Sequence, residues 1–143
     1  TRRPNDPDVV RLGHRDTARI VSLYEHYPDN FFEPYQLESG LYFGLHDGVG
    51  GPLVSIGGIH VLSKEYNVAA IGNLVTHPDY RGRNLAKRVT SRLLNEVFER
   101  VDLVALNVNE ANHPAVRVYE GFGFMPNHRF YEGMVRRRMV PSD

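Results

Sequence analysis

The chain has 143 residues, 17 basic and 17 acidic side chains, a formal charge of zero and no cysteine. That length suffices for one domain with a real core. Neutrality excludes a global field that would draw the chain to nucleic acid or an acidic membrane. The lack of cysteine excludes disulfides, cysteine nucleophiles and thiolate metal sites. No apolar run approaches the ~18 residues of a membrane-spanning helix. The lack of cysteine permits any redox compartment; the expectation is a cytoplasmic domain with no metal that binds neither nucleic acid nor membrane. The opening Thr1, in place of Met, leaves open that the chain is the C-terminal part of a longer protein.

Residues 1–8 hold two prolines and no periodic pattern, and read as a flexible lead. Val9 to Leu12 is β-branched and short, a first strand that Gly13 breaks. Asp16 is placed to cap a helix carrying Ala18, Ile20, Val21, Leu23, Tyr24 and Tyr27, which ends at Pro28. The aromatic run Phe31 to Leu37 reads as a short helix or ordered loop, serving either the core or the wall of an acceptor pocket. Leu41–Leu45, Leu53–Leu62 and Val68–Thr76 read as three strands. The turn at Asp47-Gly48 and the turn over Ser63–Asn67 make them an antiparallel meander. The pair Gly57-Gly58 marks a bulge or a close backbone approach.

The stretch from Ile71 to Val89 holds the chemistry. Its first half is apolar and β-prone up to Pro78. Then come Arg81-Gly82-Arg83-Asn84 and an amphipathic helix to about Arg100, with Leu85, Val89 and Leu93 on one face. A helix start leaves about four amide N–H groups unpaired and carries roughly half a positive charge. Gly82 and Asn84 both tolerate positive φ, so the loop can curl its amides into an anion nest. This combination suits a pyrophosphate. Leu103 to Asn109 is a buried strand, parallel to Val68–Thr76 through a right-handed crossover. Asn112-His113-Pro114-Ala115 opens a second helix. Gly121 to Phe124 closes that helix and is expected to begin a strand. Arg129–Val135 is the last strand, followed by a basic tail from Arg136 that reads as a solvated edge.

Two motifs in this order resemble the GNAT N-acetyltransferase superfamily. One is its Arg/Gln-x-x-Gly-x-Gly/Ala loop, here Arg81-Gly82-Arg83-Asn84-Leu85-Ala86. The other is Asn-x-x-Ala-x-x-x-Tyr-x-x-x-Gly-Phe, here Asn112, Ala115, Tyr119, Gly123 and Phe124. Asn84 departs from the usual glycine. The lead-in Gly72 to Pro78 and the Gly-Phe-x-Pro-like ending are similar to a branch that includes glycine-N-acyltransferase-like proteins. The resemblance implies an α/β (α+β) GNAT fold. Its mixed central sheet would have six to seven strands, with an antiparallel N-terminal meander and about four flanking helices.

It also implies acetyl transfer from acetyl-CoA to a primary amine of a small molecule or peptide, by direct attack in a ternary complex. The pyrophosphate would rest on the amides of Arg83, Asn84, Leu85 and Ala86, with Arg81 and Gly82 shaping the loop. Pantetheine would lie along Leu74, Val75 and Thr76, between two strands that splay apart, with an amide near Leu74 on the thioester carbonyl. Asn112 would bond pantetheine, or simply cap its helix. Tyr119 would be the general acid, or core. The base is open: Val68–Thr76 contains no acid. His60 is the first candidate, against a packed or solvent-facing histidine; Glu38, Glu65, Glu110 and a water relay are others. His77 reads as structural. A homodimer through an edge strand is expected. The rival readings are an acyl-CoA-binding module without turnover and an interaction domain without coenzyme A.

Overall fold

The computed structural model describes residues 5–30, 32–109, 112–125 and 130–136. Six strands form one sheet in sequence order: β1 (Val10–Arg11), β2 (Tyr42–His46), β3 (Leu53–Ser63), β4 (Val68–Thr76), β5 (Leu103–Asn109) and β6 (Phe130–Arg136). All neighbours are antiparallel except β4 and β5. Three α-helices accompany the sheet: α1 (Thr17–Tyr24), α2 (Leu85–Val97) and α3 (His113–Gly121). Short 3-10 helices span His14–Asp16, Pro34–Ser39 and Pro78–Tyr80.

The sheet separates two cores, as alternation of side chains requires. On one face Phe43, Leu45, Val54, Ile59, Ala69, Ile71 and Leu106 pack under Val89, Leu93 and Val97 of α2 and Tyr119 of α3. On the other, Tyr42, Ile56 and Val75 pack under Ile20, Leu23 and Tyr24 of α1 and Leu37. The leucine and valine spacing that predicted α2 is therefore its buried stripe.

α2 is also held from its polar side. Glu96, 9% exposed, pairs with Arg92, Arg11 and Arg100 at 3.1, 3.3 and 3.8 Å. Residues 5–8, the end of the expected flexible lead, are tied to the same helix: Arg88 binds the Asp6 and Asp8 carboxylates, and Asn95 donates to Asn5 Oδ1.

One expectation changes and two open ones are decided. Phe124 and Met125, where a strand was expected to begin, lie in none, and residues 126–129 lie outside the described ones. Gly123, at φ +99°, instead ends α3 in a left-handed turn. The Phe124 amide then donates to the Tyr119 carbonyl and the two rings meet edge-on at 6.0 Å. The motif glycine thus folds the phenylalanine back onto the motif tyrosine. The aromatic run resolves as a 3-10 helix whose Leu37 is core, with Phe32 packed on that core and Tyr35 65% exposed; Phe31 lies outside the described residues. The Gly57-Gly58 pair gives the close approach that was one of its two readings, and the β3–β4 register shifts between Ile56 and Gly58. A Cβ on Gly57 would lie 2.2 Å from Leu74, and one on Gly58 2.4 Å from the Tyr42 ring.

Candidate active site

β4 and β5 are paired only at Val68–Leu103, Ala69–Val104 and Ala70–Ala105. Beyond Ala70, β4 runs six residues further, still paired with β3 as far as Thr76. The two parallel strands thus part into a wedge. The His77 N–H donates to Val54 of β3 at 2.7 Å. Backbone groups alternate sides along a strand, so those of Val75 face β3 and those of Leu74 and Thr76 face the wedge. Of the three residues expected along pantetheine, two present their backbone there. The Leu74 side chain packs over Gly57 among the α2-side core.

Two bulges interrupt the β3–β4 ladder beside the wedge. Between the pairs Gly58–Gly72 and Ile56–Val75, β4 has one extra residue; between Ile59–Ile71 and Val61–Ala70, β3 has one. Asn73 sits in the first at φ +53°, a left-handed conformation that Asn adopts more readily than other non-glycine residues. His60 sits in the second. Tyr42, Gly58 and Gly72 oppose one another across β2, β3 and β4, so they share the α1 face. The exposed His60 imidazole lies across Gly72 on that face: a Cβ at Gly72 would fall 1.9 Å from its Nε2. Bulges re-aim side chains beside sites, and this one lays a titratable ring over β4 two residues before Leu74.

At the mouth of the wedge β4 turns through Pro78–Tyr80 into the loop. His77 is structural there, as expected: its ring accepts from the Asp79 N–H at 3.1 Å and packs between His26, to which it is tilted, and Tyr80, which it meets edge-on. Gly82 has φ +80° and Asn84 φ +61°. Asn84 thus keeps the left-handed geometry of the glycine it replaces, and its side chain makes no cap bond. Arg88 donates the first i to i−4 bond of α2, to the Asn84 carbonyl at 3.1 Å. The amides of Leu85, Ala86 and Lys87 precede it, at the positive end of a 13-residue helix.

Arg81 donates to Tyr27 Oη at 2.7 Å, and Tyr27 donates in turn to the Thr76 carbonyl, so loop, α1 side and β4 are locked together. Arg83 lies 4.9 Å above the Tyr80 ring, which donates to Asp47. Arg83, Tyr80, Asp47 and Arg88 line a cavity of about 460 Å³ under the β2–β3 hairpin. Its lining includes Arg83 of the loop and Leu85 of α2 but none of Leu74, Thr76, His60, Asn112 or Tyr119.

From α3, Asn112 caps its helix by accepting the Ala115 N–H at 3.4 Å through Oδ1. Tyr119 is 7% exposed, in the core beside Phe124. Burial pushes its phenol above the ordinary tyrosine range, so it stays protonated. Glu38 and Glu65 are surface-exposed, Glu65 in the turn between β3 and β4. Glu110 lies outside the described residues, as does the basic tail beyond Arg136. Among the described residues no cluster of three or more His, Asp or Glu is arranged to hold a metal, and no helix is long and apolar enough to cross a membrane.

Sequence reasoning missed Tyr24, Tyr27, Tyr42 and Asn73. A signal existed for the last: Asn is a poor strand former, and it interrupts an otherwise apolar β4.

The model of the acetyltransferase (GNAT) family matches residues 12–124. The chain belongs to the GNAT acetyltransferase family. The family's general reaction is acyl transfer from acetyl-CoA. Solved structures agree on the fold. A GNAT-family protein of Novosphingobium aromaticivorans superposes with TM-score 0.76 at 24% identity, over 92% of this chain and 58% of that one. The chain thus spans little more than half of that protein. The yncA protein of Salmonella typhimurium, solved with acetyl-CoA, gives TM-score 0.68 at 15% identity, covering 90% of this chain and 92% of that one. The diaminobutyrate acetyltransferase EctA of Paenibacillus lautus, solved with L-2,4-diaminobutyric acid and coenzyme A, gives 0.68 at 14%, covering 88% and 90%. No curated protein matches the chain.

Proposed function

We propose that this GNAT protein is an N-acetyltransferase that moves the acetyl group of acetyl-CoA to a primary amine of a small molecule or peptide. The observation that carries the proposal is the wedge between β4 and β5, opening directly onto the left-handed loop and bare N-terminus of α2. The nest from Arg83 to Ala86 takes the pyrophosphate, and Arg81, anchored on Tyr27, holds the loop in shape. The pantetheine amides pair with the wedge-facing groups of Leu74 and Thr76. The Leu74 N–H donates to the thioester carbonyl, and a single such donor is worth roughly 3 kcal/mol at the transition state.

The acceptor approaches from the α1 face. His60, laid over Gly72, takes a proton from the ammonium. The free amine attacks the carbonyl carbon, the C–S bond breaks as Tyr119 delivers its proton to the departing sulfur, and the second proton shed by the acylated nitrogen restores the Tyr119 phenol. His60 answers the lack of an acid on β4: Gly72 leaves the space and the β3 bulge supplies the ring.

The test is an amine panel assayed for coenzyme A release, repeated with His60→Gln. His60→Gln lowers kcat/KM for the amine by about 100-fold and removes the acidic limb of its pH profile. A variant with wild-type rate and profile assigns the base elsewhere.

A further inference from the structure

The bulge residue Asn73 is gripped twice. Its backbone carbonyl accepts from Tyr24 Oη at 2.8 Å, and its Nδ2 donates to Tyr42 Oη at 2.8 Å. Both phenols are built in. Tyr24 is 8% exposed and stacks on Phe32 at 5.7 Å. Tyr42 is fully buried and lies flat against Gly58, where a Cβ would meet its ring. These contacts link residues 49 and 31 positions apart, so they tie β4 to α1 and to β2 at the bulge itself.

A trans peptide is planar, with its C=O and N–H pointing in opposite directions. The Asn73 carbonyl and the Leu74 N–H belong to one such plane. The hydrogen bond from Tyr24 therefore fixes the direction of the Leu74 N–H, and polarises it. The side-chain bond to Tyr42 fixes the same residue's left-handed φ. We propose that Tyr24, Asn73 and Tyr42 form a clamp that aims the Leu74 N–H at the acyl carbonyl, and that they act as positioning residues for acetyl transfer. This rests on the acetyltransferase reading above. It assigns a catalytic consequence to three side chains that touch neither the acyl group nor the acceptor.

Tyr24→Phe removes one bond and keeps the ring. Asn73→Gly removes the other and keeps the backbone conformation. Each lowers kcat about tenfold with KM for acetyl-CoA and the Kd for coenzyme A unchanged, because coenzyme A lacks the thioester carbonyl that the Leu74 N–H binds; the melting temperature falls only by the few degrees that one lost buried hydrogen bond costs. A second readout needs no turnover. In wild-type protein the Leu74 amide proton resonance moves downfield with acetyl-CoA relative to coenzyme A, and in Tyr24→Phe that difference is lost. Wild-type kcat and a wild-type Leu74 response in Tyr24→Phe overturn the clamp while leaving the acetyltransferase reading intact. So does a kcat loss matched by an equal loss of coenzyme A affinity, which marks a merely structural role. Wild-type protein that binds neither ligand overturns the acetyltransferase reading itself, and the clamp with it.

Discussion

Gly82→Glu raises the Kd for coenzyme A by more than 100-fold while the protein stays folded. The reason is local. Gly82 lies at φ +80° in the loop before α2, and nothing stands within 4 Å of where its Cβ would be. A side chain there meets no steric barrier, so the cost to the fold is the left-handed backbone, about 1–2 kcal/mol. Against a typical stability of about 5–15 kcal/mol the domain survives. The ligand does not fare as well. A carboxylate placed among amides that suit a pyrophosphate replaces attraction by repulsion, on the order of 4 kcal/mol per charge pair at 4 Å in a partly screened site. Every 1.4 kcal/mol is a factor of ten. Gly82→Ala separates the two effects: it loses the same backbone freedom, adds no charge, and keeps affinity within a few-fold. Calorimetric titration with coenzyme A, alongside circular dichroism, reads both. Normal affinity in Gly82→Glu would place the pyrophosphate elsewhere.

Tyr119→Phe has the second large effect, and it falls on turnover. The tyrosine ring is core, packed against Phe124 and 7% exposed, so a phenylalanine fills the same space. What disappears is one hydroxyl. Burial raises its pKa, so it keeps its proton at alkaline pH where an ordinary tyrosine begins to ionise. A raised pKa also weakens the acid. The leaving thiolate is desolvated in the same place and becomes more basic by the same physics. Tyr119→Phe therefore lowers kcat at least tenfold, with the Kd for acetyl-CoA unchanged, in a stopped assay and a binding titration run on the same preparation. The wild-type profile also shows no loss of rate near pH 10 from Tyr119 ionisation. Unchanged turnover in the variant would make Tyr119 a core residue only, and would favour a module that binds acyl-CoA without using it.

The parts of this molecule that depend on neighbours in sequence were legible before the fold was known. β4 and β5 run over the expected residues, Val68–Thr76 and Leu103–Asn109, because apolar β-branched runs bounded by turns say so locally. The nest was legible for the same reason: Gly82 and Asn84 carry their conformational preference in their own side chains. Asn112 and Tyr119 were found only through the resemblance of their motif to the GNAT family; read alone, one is a helix cap and the other core. The boundaries of α2 were drawn too far at its C-terminal end, which stops at Val97 rather than Arg100.

What was not legible is what the tertiary fold brings together. Nothing local says that Tyr24 reaches Asn73, or that Tyr42 lies on Gly58 and meets the same asparagine. Each contact crosses from one element to another. Nothing local says either that the His60 ring lies over Gly72. Asp6 and Asp8 looked like part of a loose lead because their partner, Arg88, is 82 and 80 positions away. The end of α3 was placed correctly at Gly121 to Phe124, but a strand start was also read there because Gly-Phe-Gly-Phe suits one as well as a left-handed helix stop. Gly123 at φ +99° decides for the stop.

The most direct test of the account is the melting temperature with and without acetyl-CoA. A ligand at a hundred times its Kd adds about 2.7 kcal/mol, which moves a domain of this size by on the order of 5–10 °C. The wedge and the nest together predict a shift of that order with acetyl-CoA, and none with pantetheine, which lacks the pyrophosphate. No shift at millimolar acetyl-CoA would contradict the account: Asn84 would then have broken the nest, and the family fold would be present without its co-substrate site.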